Sequence, residues 1–584
     1  VKPRLLSFSR DGDAIQSRSL PLNLAIRFGE LRSSQSQGFG MSSTSIAPAI
    51  KQALSEHAKQ DLVKGIKCKF DSDRDRVVHT SYDIADIHFD FSKTHIDKSL
   101  LKIYADYSAK IEFQTKRHAL FAGERVNVTE GRSVLHTLLR DPSNQGIEMV
   151  RPETLTQAQA ARAALLNQYQ DIQAQLAERA TPIRNIIHVG IGGSALGPQL
   201  ISEALSGVNP DIKIHFISNI DGHQLVDALD WCDVESTLVI GVSKTFTTAE
   251  TLQNIDSVSD WFSAQGVKQP LANFYAVTAY PDNAVKYGIP QANIVSFPEW
   301  VGGRYSVWSS VSLSAALVFG IEKFEEFLAG AAEMDRHFYQ TEPVDNVCFI
   351  AAALDHYYTN FMHAKSRAIF AYDHRLRSLV DYLQQLETES NGKDRQVDGS
   401  PVDQQTSAVI WGGVGTDVQH SVFQMLHQGT SLIPSEFILV AKADHELESH
   451  HQELLANGVA QTAALLAGQD LDKVNELHGE EQLSDLTKQA KIFSGERPST
   501  TMLLSQLTPR TLGALLAFYE HRTFCGGVLV NINSYDQMGV ELGKRLAKQV
   551  NPMLDPSTPA SEVQKNAEGF DASTLDLIAR IRQA

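Results

Sequence analysis

Short apolar runs rich in β-branched residues alternate with helical stretches from residue 186 onward. The first four of these runs lie at 186–189, 212–218, 237–242 and 273–278. Helical patterns such as 198–205 and 224–229 separate them. Strands that are almost continuously apolar and are joined by helices are typical of a parallel sheet covered on both faces. The sequence therefore predicts an α/β fold.

A second group of apolar runs follows a helix that opens at 346–350. These runs lie at 367–371, 408–411, 432–439 and 527–532, and they predict a second α/β layer. The segment before residue 150 is mostly helical, with short strands or loops at 83–91. We divide the chain into a leader or non-native extension (1–40), a mainly helical segment that packs on the larger domain (41–155), a first α/β domain (156–325), a second α/β domain (326–550) and a C-terminal helical arm (551–584).

Composition excludes several classes of protein. The chain has 584 residues, of which 42% are hydrophobic and 21% are charged, as in an ordinary folded protein. Its net charge of −17 argues against nucleic acid or an anionic membrane as partner, so an anionic ligand requires a local basic pocket. The four cysteines lie far apart without metal-ligand spacing, which predicts a reduced protein with no structural metal. No apolar run reaches the roughly 18 residues of a membrane span.

The first 40 residues have a different composition, rich in Arg and Ser. They begin with Val, whereas Met41 looks like a natural start. An organelle transit peptide is one interpretation, and translated upstream sequence is the other. Asp11, Asp13 and Glu30 favour the second interpretation, because transit peptides are poor in acidic residues. We expect a cytoplasmic protein, with an organelle stroma as the alternative.

The segment 243–248, Ser-Lys-Thr-Phe-Thr-Thr, lies between a predicted strand and a helical pattern that starts at Ala249. The free backbone N–H groups of a helix N-terminus favour an anion at that place. Four hydroxyls and one ammonium in six residues indicate a site for a compact dianion such as a phosphate monoester. The alternative is a simple helix N-cap, for which one hydroxyl suffices.

A glycine-rich loop at 190–197 also follows a predicted strand and precedes a helix. Gly190, Gly192 and Ala195 fit the spacing of a dinucleotide-binding loop. The acidic residue that would bind the ribose is missing at the end of the next strand, which argues against a nicotinamide cofactor. The same loop can hold a sugar hydroxyl or a phosphate oxygen through Gly193 and Ser194. Tight packing of helix against strand is a further interpretation.

Two segments carry charged groups suited to catalysis. Arg304 follows two glycines, so a substrate can approach the backbone beside a guanidinium that stabilises a developing oxyanion. A surface turn with a salt-bridged arginine is the alternative. Glu389 ends a helix whose buried face is formed by apolar residues at positions 376, 379, 380, 383 and 386, and Gln385 lies on the same face as Glu389. A carboxylate there can act as a general base, although a solvated glutamate is the commoner outcome.

Two later helical patterns carry further candidates. His420 and His427 lie seven residues apart on one helical face, where either can be an ordinary core histidine. Gln537, Glu541 and Lys544 follow one another along a helical stripe, and an exposed charged face is the alternative there.

In this order, these blocks resemble the phosphoglucose isomerase family over roughly residues 43–550. The resemblance rests on Gly-Gly-Arg-Tyr-Ser at 302–306, Glu-Ser-Asn-Gly-Lys at 389–393, His-Gln-Gly-Thr at 427–430 and Asp-Gln-x-Gly-Val-Glu-x-Gly-Lys at 536–544. The segment 121–136 is also typical of the family. The resemblance implies two sugar-isomerase (SIS) domains, each with three αβα layers around a parallel sheet, in a homodimer with a shared active site.

The resemblance also implies a reaction and a set of residue roles. The reaction would interconvert D-glucose 6-phosphate and D-fructose 6-phosphate through a cis-enediol, in glycolysis and gluconeogenesis and without a metal or other cofactor. Glu389 would move a proton between C2 and C1, and Arg304 would stabilise the enediolate. His427, supplied by the partner subunit, and Lys544 would open the sugar ring. The residues implied to bind substrate are Gly193, Ser194, Ser243, Lys244, Thr245, Thr248, Gln385 and Gln537.

The chain departs from the family pattern beside these positions. Leu386-Glu387-Thr388 replaces the common Gly-Asp-Met, and Asp417-Val418 stands where Asn-Gly is common. The alternative from another functional class is a non-catalytic SIS-domain protein that senses sugar phosphates. Such a sensor would keep the 243–248 loop but would not need Glu389, His427 and Lys544 together.

Overall fold

Residues 46–205, 211–479 and 483–583 are described by a computed structural model. The interpretations placed on residues 1–40 lie outside the described residues. Among the described residues, no helix is both long enough and apolar enough to cross a bilayer.

The segment before the first sheet is mainly helical and also forms a two-stranded antiparallel hairpin. Its elements are α1 (Pro48–Lys64), α2 (Lys67–Ser72), α3 (Arg76–His79), β1 (Ser81–Ile84), β2 (Ile87–Asp90), α4 (Lys98–Lys110), α5 (Phe113–Ala122), α6 (His136–Arg140) and α7 (Glu153–Glu178). The Asp97 side chain accepts a hydrogen bond from the backbone N–H of Leu100. This bond satisfies one of the free donors at the start of α4.

The first sheet alternates strands with helices, as the apolar runs predict. Its elements are β3 (Asn185–Val189), α8 (Leu196–Ala204), β4 (Lys213–Ile217), α9 (Gly222–Leu229), β5 (Thr237–Val242), α10 (Ala249–Ala264), β6 (Phe274–Thr278), α11 (Pro281–Tyr287) and β7 (Ile294–Ser296). Two helices, α12 (Leu313–Phe319) and α13 (Ile321–Gln340), follow it. Strands β3, β5 and β6 are buried along their whole length, which explains their continuous apolar character.

The first sheet has the strand order β4-β3-β5-β6-β7, and its strands are parallel. Strands β3 and β5 are neighbours at the centre of the sheet. The connection from β3 leads through α8 to β4 on one side, and the connection from β5 leads through α10 to β6 on the other side, so the two diverge. Leu200 of α8 belongs to the same buried cluster as Ile186, whereas Ile255 of α10 belongs to the separate cluster of Ile187, whose side chain points to the other face. Ligands of such sheets bind in the crevice outside the carboxyl ends of the diverging strands. The glycine-rich loop (190–197) and the segment 243–248, here called the hydroxyl-rich loop, both lie at these carboxyl ends.

The second sheet takes most of its strands from the later half of the chain. The elements are α14 (Val347–Asn360), β8 (Ser366–Tyr372), α15 (Leu379–Leu383), β9 (Val409–Val414), α16 (Gly415–Gln419), α17 (Phe423–Gln428), β10 (Ser435–Lys442), α18 (Glu448–Ala467), α19 (Leu471–Leu477), α20 (Asp485–Ala490), β11 (Ser499–Gln506) and α21 (Pro509–Leu529). The arm that follows consists of α22 (Glu541–Leu554), α23 (Ala560–Asn566) and α24 (Ala572–Ile581).

The order of the second sheet is β1-β2-β11-β10-β8-β9. Its part from β11 to β9 is parallel and repeats the order β6-β5-β3-β4 of the first sheet. The hairpin β1-β2 joins the edge of β11 in antiparallel orientation, so this sheet is mixed. The α/β prediction is confirmed. The 41–155 segment contributes the hairpin β1-β2 to the second sheet, which the sequence did not show. The domain limits remain a prediction.

One predicted strand is wrong. The run 527–532 begins inside α21, which ends at Leu529, and the strand of this region is β11 instead. Every residue of α21 from Thr511 to Cys525 is buried. A helix that is buried all round has no apolar stripe, so a short piece of it cannot be told from a buried strand. The sequence of β11, with four Ser or Thr among eight residues, has too few apolar positions to be recognised.

Charged side chains hold α1 against the rest of the protein. His57 lies between two carboxylates, with Nδ1 3.1 Å from Asp61 and Nε2 3.2 Å from Asp97. Nδ1 also lies 3.0 Å from the Tyr357 hydroxyl. The Lys69 ammonium contacts both carboxylates, at 2.8 Å and 2.5 Å. Burial by itself lowers the pKa of His57, but the hydrogen bonds and charges of the two carboxylates outweigh burial and raise the pKa to about 9.

We expect His57→Gln to lower the free energy of unfolding by about 2 kcal/mol below pH 6.5, the order of a hydrogen bond to a charged group. The pKa of the folded state is raised from 6.5 to about 9, so the contribution is complete below pH 6.5 and is lost as the pH rises through 9. Urea denaturation at about pH 6 and about pH 9.5 measures this difference. His79→Gln is the control, because His79 pairs with Asp73 at a more exposed position. If the difference in free energy of unfolding between parent and His57→Gln does not shrink at the higher pH, the raised pKa of His57 does not contribute to stability.

Candidate active site

The glycine-rich loop after β3 is held from below by a buried histidine. Gly192–Ser194 form a 3-10 turn, and His188 lies 2.7 Å from the Ser194 carbonyl and 2.7 Å from the Ser314 hydroxyl. Burial lowers the pKa of His188 to about 4. The neutral ring therefore donates from Nε2 to the carbonyl and accepts from the hydroxyl at Nδ1.

Two glycines let this loop approach other segments closely. A Cβ atom on Gly193 would lie 2.1 Å from the Gly303 carbonyl oxygen. A Cβ on Gly192, whose φ is +58°, would lie 2.9 Å from the amide nitrogen of Gln385. The Ser306 hydroxyl donates to the Gly193 carbonyl at 3.2 Å. The loop thus contacts both the 302–306 segment and the helix that carries Gln385.

The hydroxyl-rich loop after β5 folds back on itself. Phe246 has a left-handed backbone with φ of +51°, and its N–H donates to the Ser243 hydroxyl at 3.1 Å. The hydroxyls of Ser243 and Thr248 lie 3.1 Å apart, and those of Thr245 and Thr247 lie 2.8 Å apart. The four hydroxyls are therefore paired two by two at the start of α10.

The N-terminus of α10 supplies further hydrogen-bond donors. Thr248 occupies the N-cap position, but its side chain makes no capping hydrogen bond. The helix is 16 residues long, so its first-turn N–H groups and its dipole favour an anion at this end. This geometry favours the anion site over the simple N-cap interpretation.

The Lys244 side chain extends from the hydroxyl-rich loop to the segment that follows β7. Its ammonium donates to the Val301 carbonyl at 2.9 Å. Burial lowers the pKa of Lys244 to about 8; Arg132 lowers it further, and Glu130 and Glu299 oppose the shift. An anion bound beside the ammonium would favour its charged form.

The Arg304 guanidinium is buried, with 4% exposure, and held at each of its nitrogens. Nε donates to the Ser390 hydroxyl at 2.6 Å, and Nη1 donates to the Gln537 side-chain oxygen at 3.0 Å. Nη2 donates to the carbonyls of Ser534 at 2.6 Å and Asp536 at 3.1 Å. These four acceptors are neutral, so the positive charge remains available to an anion that enters the site.

Glu389 lies on a π-helical turn, Gln384–Glu389, that continues α15. Its Oε2 accepts a hydrogen bond from Gln385 Nε2 at 2.9 Å and lies 3.7 Å from Arg304 Nη1. The Glu389 side chain keeps 21% exposure. π-helical turns are frequent at functional sites, and sequence periodicity does not distinguish them from α-helix. A partly accessible carboxylate beside a fixed cation can accept a proton from a bound molecule.

Sequence reasoning missed the residues that hold the segments around Arg304 and Glu389 together. The Lys393 ammonium donates to the carbonyls of Glu389 at 2.7 Å, Ser390 at 2.8 Å and Asp536 at 2.9 Å. The Ser390 hydroxyl also lies 2.9 Å from the Tyr305 hydroxyl. Lys393, Ser390 and Asp536 all belong to motifs that the sequence had singled out. Membership of those motifs was the available signal, because main-chain contacts are not visible in residue type.

The structure thus places five of the twelve predicted site residues together. Gly193, Arg304, Gln385, Glu389 and Gln537 form one contiguous group. The remaining predicted binding residues, Ser194, Ser243, Lys244, Thr245 and Thr248, lie on the two loops at the carboxyl edge of the first sheet.

His427 and Lys544 lie elsewhere in the protomer. The His427 ring on α17 contacts Gln461 at 3.2 Å and the rings of Phe423 and Phe493. Lys544 is exposed on α22. Within residues 46–205, 211–479 and 483–583, no hydrogen bond or ion pair joins either side chain to the group around Arg304. The described protomer therefore does not assemble the whole predicted set.

The group around Arg304 is suited to one kind of chemistry. An anion can be anchored at α10, a carboxylate can accept a proton, and a fixed guanidinium can stabilise negative charge that develops on oxygen. These are the requirements for moving a proton at a carbon next to a carbonyl in a small anionic molecule.

Comparison with known proteins identifies a family. The model of the family described as phosphoglucose isomerase matches residues 90–578. A glucose-6-phosphate isomerase of Rhizorhabdus wittichii is 45% identical over 512 residues, which cover 88% of this chain and 95% of the relative. That of Zymomonas mobilis is 42% identical over 503 residues, which cover 85% of this chain and 94% of the relative.

The fold agrees as well. A crystal structure of a glucose-6-phosphate isomerase from Chlamydia trachomatis matches with a TM-score of 0.77 and 29% identity, over 91% of this chain and 98% of that chain. Identity and coverage of this extent, together with the two parallel sheets and the clustered motifs, lead to one conclusion: the chain belongs to the phosphoglucose isomerase family.

Proposed function

We propose that the protein is a glucose-6-phosphate isomerase, which interconverts D-glucose 6-phosphate and D-fructose 6-phosphate. The observation that carries this proposal is the Glu389 carboxylate 3.7 Å from Arg304, whose other side-chain partners are neutral. The names of the relatives supply glucose 6-phosphate as the substrate, and moving its proton from C2 to C1 gives fructose 6-phosphate. The alternative, a sensor of sugar phosphates, has no use for a base placed beside a fixed cation.

In this proposal the phosphate of the substrate binds at the start of α10. The paired hydroxyls and the first-turn N–H groups donate to its oxygens, and the Lys244 ammonium balances part of its charge. The glycine-rich loop lies beside this site, and Gly193 allows its backbone to approach the sugar. The residues assigned to binding are Gly193, Ser194, Ser243, Lys244, Thr245, Thr248, Gln385 and Gln537.

Isomerisation then requires an open sugar chain. His427, supplied by the partner subunit, and Lys544 would move the proton between the anomeric hydroxyl and the ring oxygen as the C1–O5 bond breaks. The Glu389 carboxylate then takes the proton from C2, the C–H electron pair forms the C1–C2 double bond, and the C1 carbonyl pair moves onto its oxygen to give a cis-enediolate. A proton passes from the C2 hydroxyl to the C1 oxygen through the cis-enediol. Glu389 returns a proton to C1 while C2 becomes the carbonyl. Oxidation at C2 and reduction at C1 balance within one molecule.

Arg304 acts on the charge that develops during this transfer. As the proton leaves C2, negative charge grows on the carbonyl oxygen at C1, and a guanidinium that is already fixed need not reorganise to stabilise it. Gln385 orients Glu389 through its 2.9 Å hydrogen bond, and Gln537 orients Arg304 in the same way at 3.0 Å.

We further propose a homodimer with shared sites in the cytoplasm, acting in glycolysis and gluconeogenesis. The separation of His427 and Lys544 from Glu389 supports the dimer. So does the exposed apolar surface of α22, where Leu542 is 53% exposed and Leu546 is 38% exposed. The cytoplasmic assignment rests on the reaction and on the widely spaced cysteines.

We expect purified protein to convert fructose 6-phosphate into glucose 6-phosphate, measured by a coupled assay of the product. Glu389→Gln should lower kcat by about 10² or more with little change in KM, since the amide cannot accept the proton. Glu326→Gln, an exposed change on α13, is the matched control. Parent protein that binds sugar phosphate without turnover would support the sensor, and a fully active Glu389→Gln would refute the assigned base.

Removing the Lys244 charge should affect binding in a pH-dependent way. We expect Lys244→Met to raise KM about tenfold at pH 7, with a smaller effect on kcat. The pKa of Lys244 is lowered to about 8, so the parent loses this charge as the pH rises through 8. The parent-to-variant ratio of kcat/KM should therefore shrink between about pH 7 and about pH 9.5. Lys268→Met, an exposed change before β6, is the control, and a pH-independent ratio would exclude the role of this charge.

A shared site predicts complementation between inactive chains. In a hybrid of Glu389→Gln and His427→Asn subunits, one site receives Glu389 and His427 intact and the other receives neither. The purified hybrid should therefore show about half of the parent activity, and the unpurified random mixture about a quarter. Co-expression with two affinity tags and assay of the doubly purified hybrid gives the result. If each site uses its own His427, the hybrid stays as inactive as the two variants alone.

A further inference from the structure

A buried group of charged side chains lies directly behind the π-helical turn that carries Glu389. We call it the charge cluster. It consists of Asp355 on α14, Arg367 on β8, Glu387 on the π-helical turn, Glu436 on β10 and Arg522 on α21. Nothing in the mechanism above uses it. Arg367, Glu387 and Glu436 are 3%, 8% and 3% exposed and lie in the protein interior, while the Asp355 side chain keeps 28% exposure.

Arg367 is the centre of the cluster. Its guanidinium contacts the carboxylate of Glu387, that of Asp355 at 2.6 Å and that of Glu436 at 3.2 Å. Arg522 contacts two of these three carboxylates, Asp355 at 2.7 Å and Glu436 at 2.5 Å. Two cations thus face three carboxylates. Burial raises the pKa of Glu387, and the charges of Arg367 and Arg522 oppose that rise.

Glu387 links this cluster to the catalytic carboxylate. Side chains two positions apart on a helix point to nearly opposite sides. Glu389 accordingly faces Gln385 and Arg304, while Glu387 faces Arg367 on the central part of the sheet. The start of the π-helical turn is fastened separately, because Gln384 donates to the Ile410 carbonyl of β9 at 2.9 Å. The Glu387–Arg367 pair fastens its end.

A π-helical turn needs such fastening. The i→i+5 pattern is rare and occurs mostly as a single turn, so tertiary contacts must hold it in place of the ordinary α-helix. A shift of about 1 Å in a catalytic group can cost about 10²-fold in rate. The Glu387–Arg367 ion pair is a buried contact of this turn, two residues before Glu389 and on the opposite side of the helix from Arg304.

We propose that Glu387 is a positioning residue of the isomerisation, which through Arg367 sets the location of the Glu389 carboxylate relative to Arg304 and the reacting carbons. This inference rests on the proposed function. It concerns proton transfer only, because the phosphate loop at 243–248 lies on the other sheet and makes none of these contacts.

The test compares two variants of the same cluster. Glu387→Gln should lower kcat about 10- to 100-fold and leave KM within about twofold, because the base moves while the phosphate site does not. Asp355→Asn removes a carboxylate from the same two arginines but does not touch the π-helical turn. It should lower thermal stability and leave kcat within about twofold. Glu387→Asp, which keeps the charge but withdraws it by one methylene, should give an intermediate kcat.

An isotope effect separates positioning from a general loss of folded protein. With glucose 6-phosphate deuterated at C2, the isotope effect on kcat should be larger in Glu387→Gln than in the parent, since proton transfer then limits the rate more strongly. A smaller folded fraction would lower kcat without changing this ratio.

The outcomes distinguish this inference from the proposed function. An inactive parent overturns both. An active parent with Glu387→Gln equal to it in kcat and isotope effect overturns the inference alone, as does an equal loss of kcat in Asp355→Asn. Should Glu387→Gln fail to fold, Glu387→Asp decides: a kcat equal to that of the parent refutes the inference.

Discussion

The rest of the site depends on the hydrogen bonds made by the Arg304 guanidinium. Arg304 belongs to the loop that follows the first sheet, yet its hydrogen-bond partners Ser390, Ser534, Asp536 and Gln537 lie 86 or more positions later in the chain. The group around Arg304 therefore exists only where these distant segments pack together. Those acceptors are neutral and the one carboxylate nearby, that of Glu389, lies 3.7 Å away, so the guanidinium is held in place with its charge still able to act on a developing oxyanion.

This arrangement also explains how an acidic protein binds an acidic substrate. The chain has a net charge of −17, so its long-range field repels a sugar phosphate. Attraction is local: Lys244 and the N-terminus of α10 lie at the carboxyl edge of the first sheet, and Arg304 and Lys393 lie beside Glu389. Burial lowers the pKa of Lys244 and of Lys393 to about 8 each, and hydrogen bonds to carbonyls hold both ammonium groups. An entering dianion would offset the cost of keeping these charges buried.

How far sequence patterns reach can be judged from particular elements. Strands β3, β5 and β6 were predictable because burial on both faces leaves a continuous apolar run. The same rule failed for α21, which is buried all round and has no apolar stripe, and for β11, whose hydroxyl side chains hide it. The pairing of β2 with β11 was also beyond prediction, because it joins segments more than 400 positions apart in the chain.

The sequence by itself determined which chemical groups are present and where they stand relative to strand ends and helix starts: the hydroxyls and ammonium of 243–248, the glycines before Arg304, and Glu389 with Gln385. These follow from local patterns, since a loop between a strand and a helix has the same free N–H groups in any fold. Only the tertiary structure decided that Glu389 stands beside Arg304, that its helix takes a π-helical form, and that His427 and Lys544 lie apart from them in one protomer. The physical reason is that these relations depend on how two sheets dock, and packing between distant segments leaves no periodic signal in the chain.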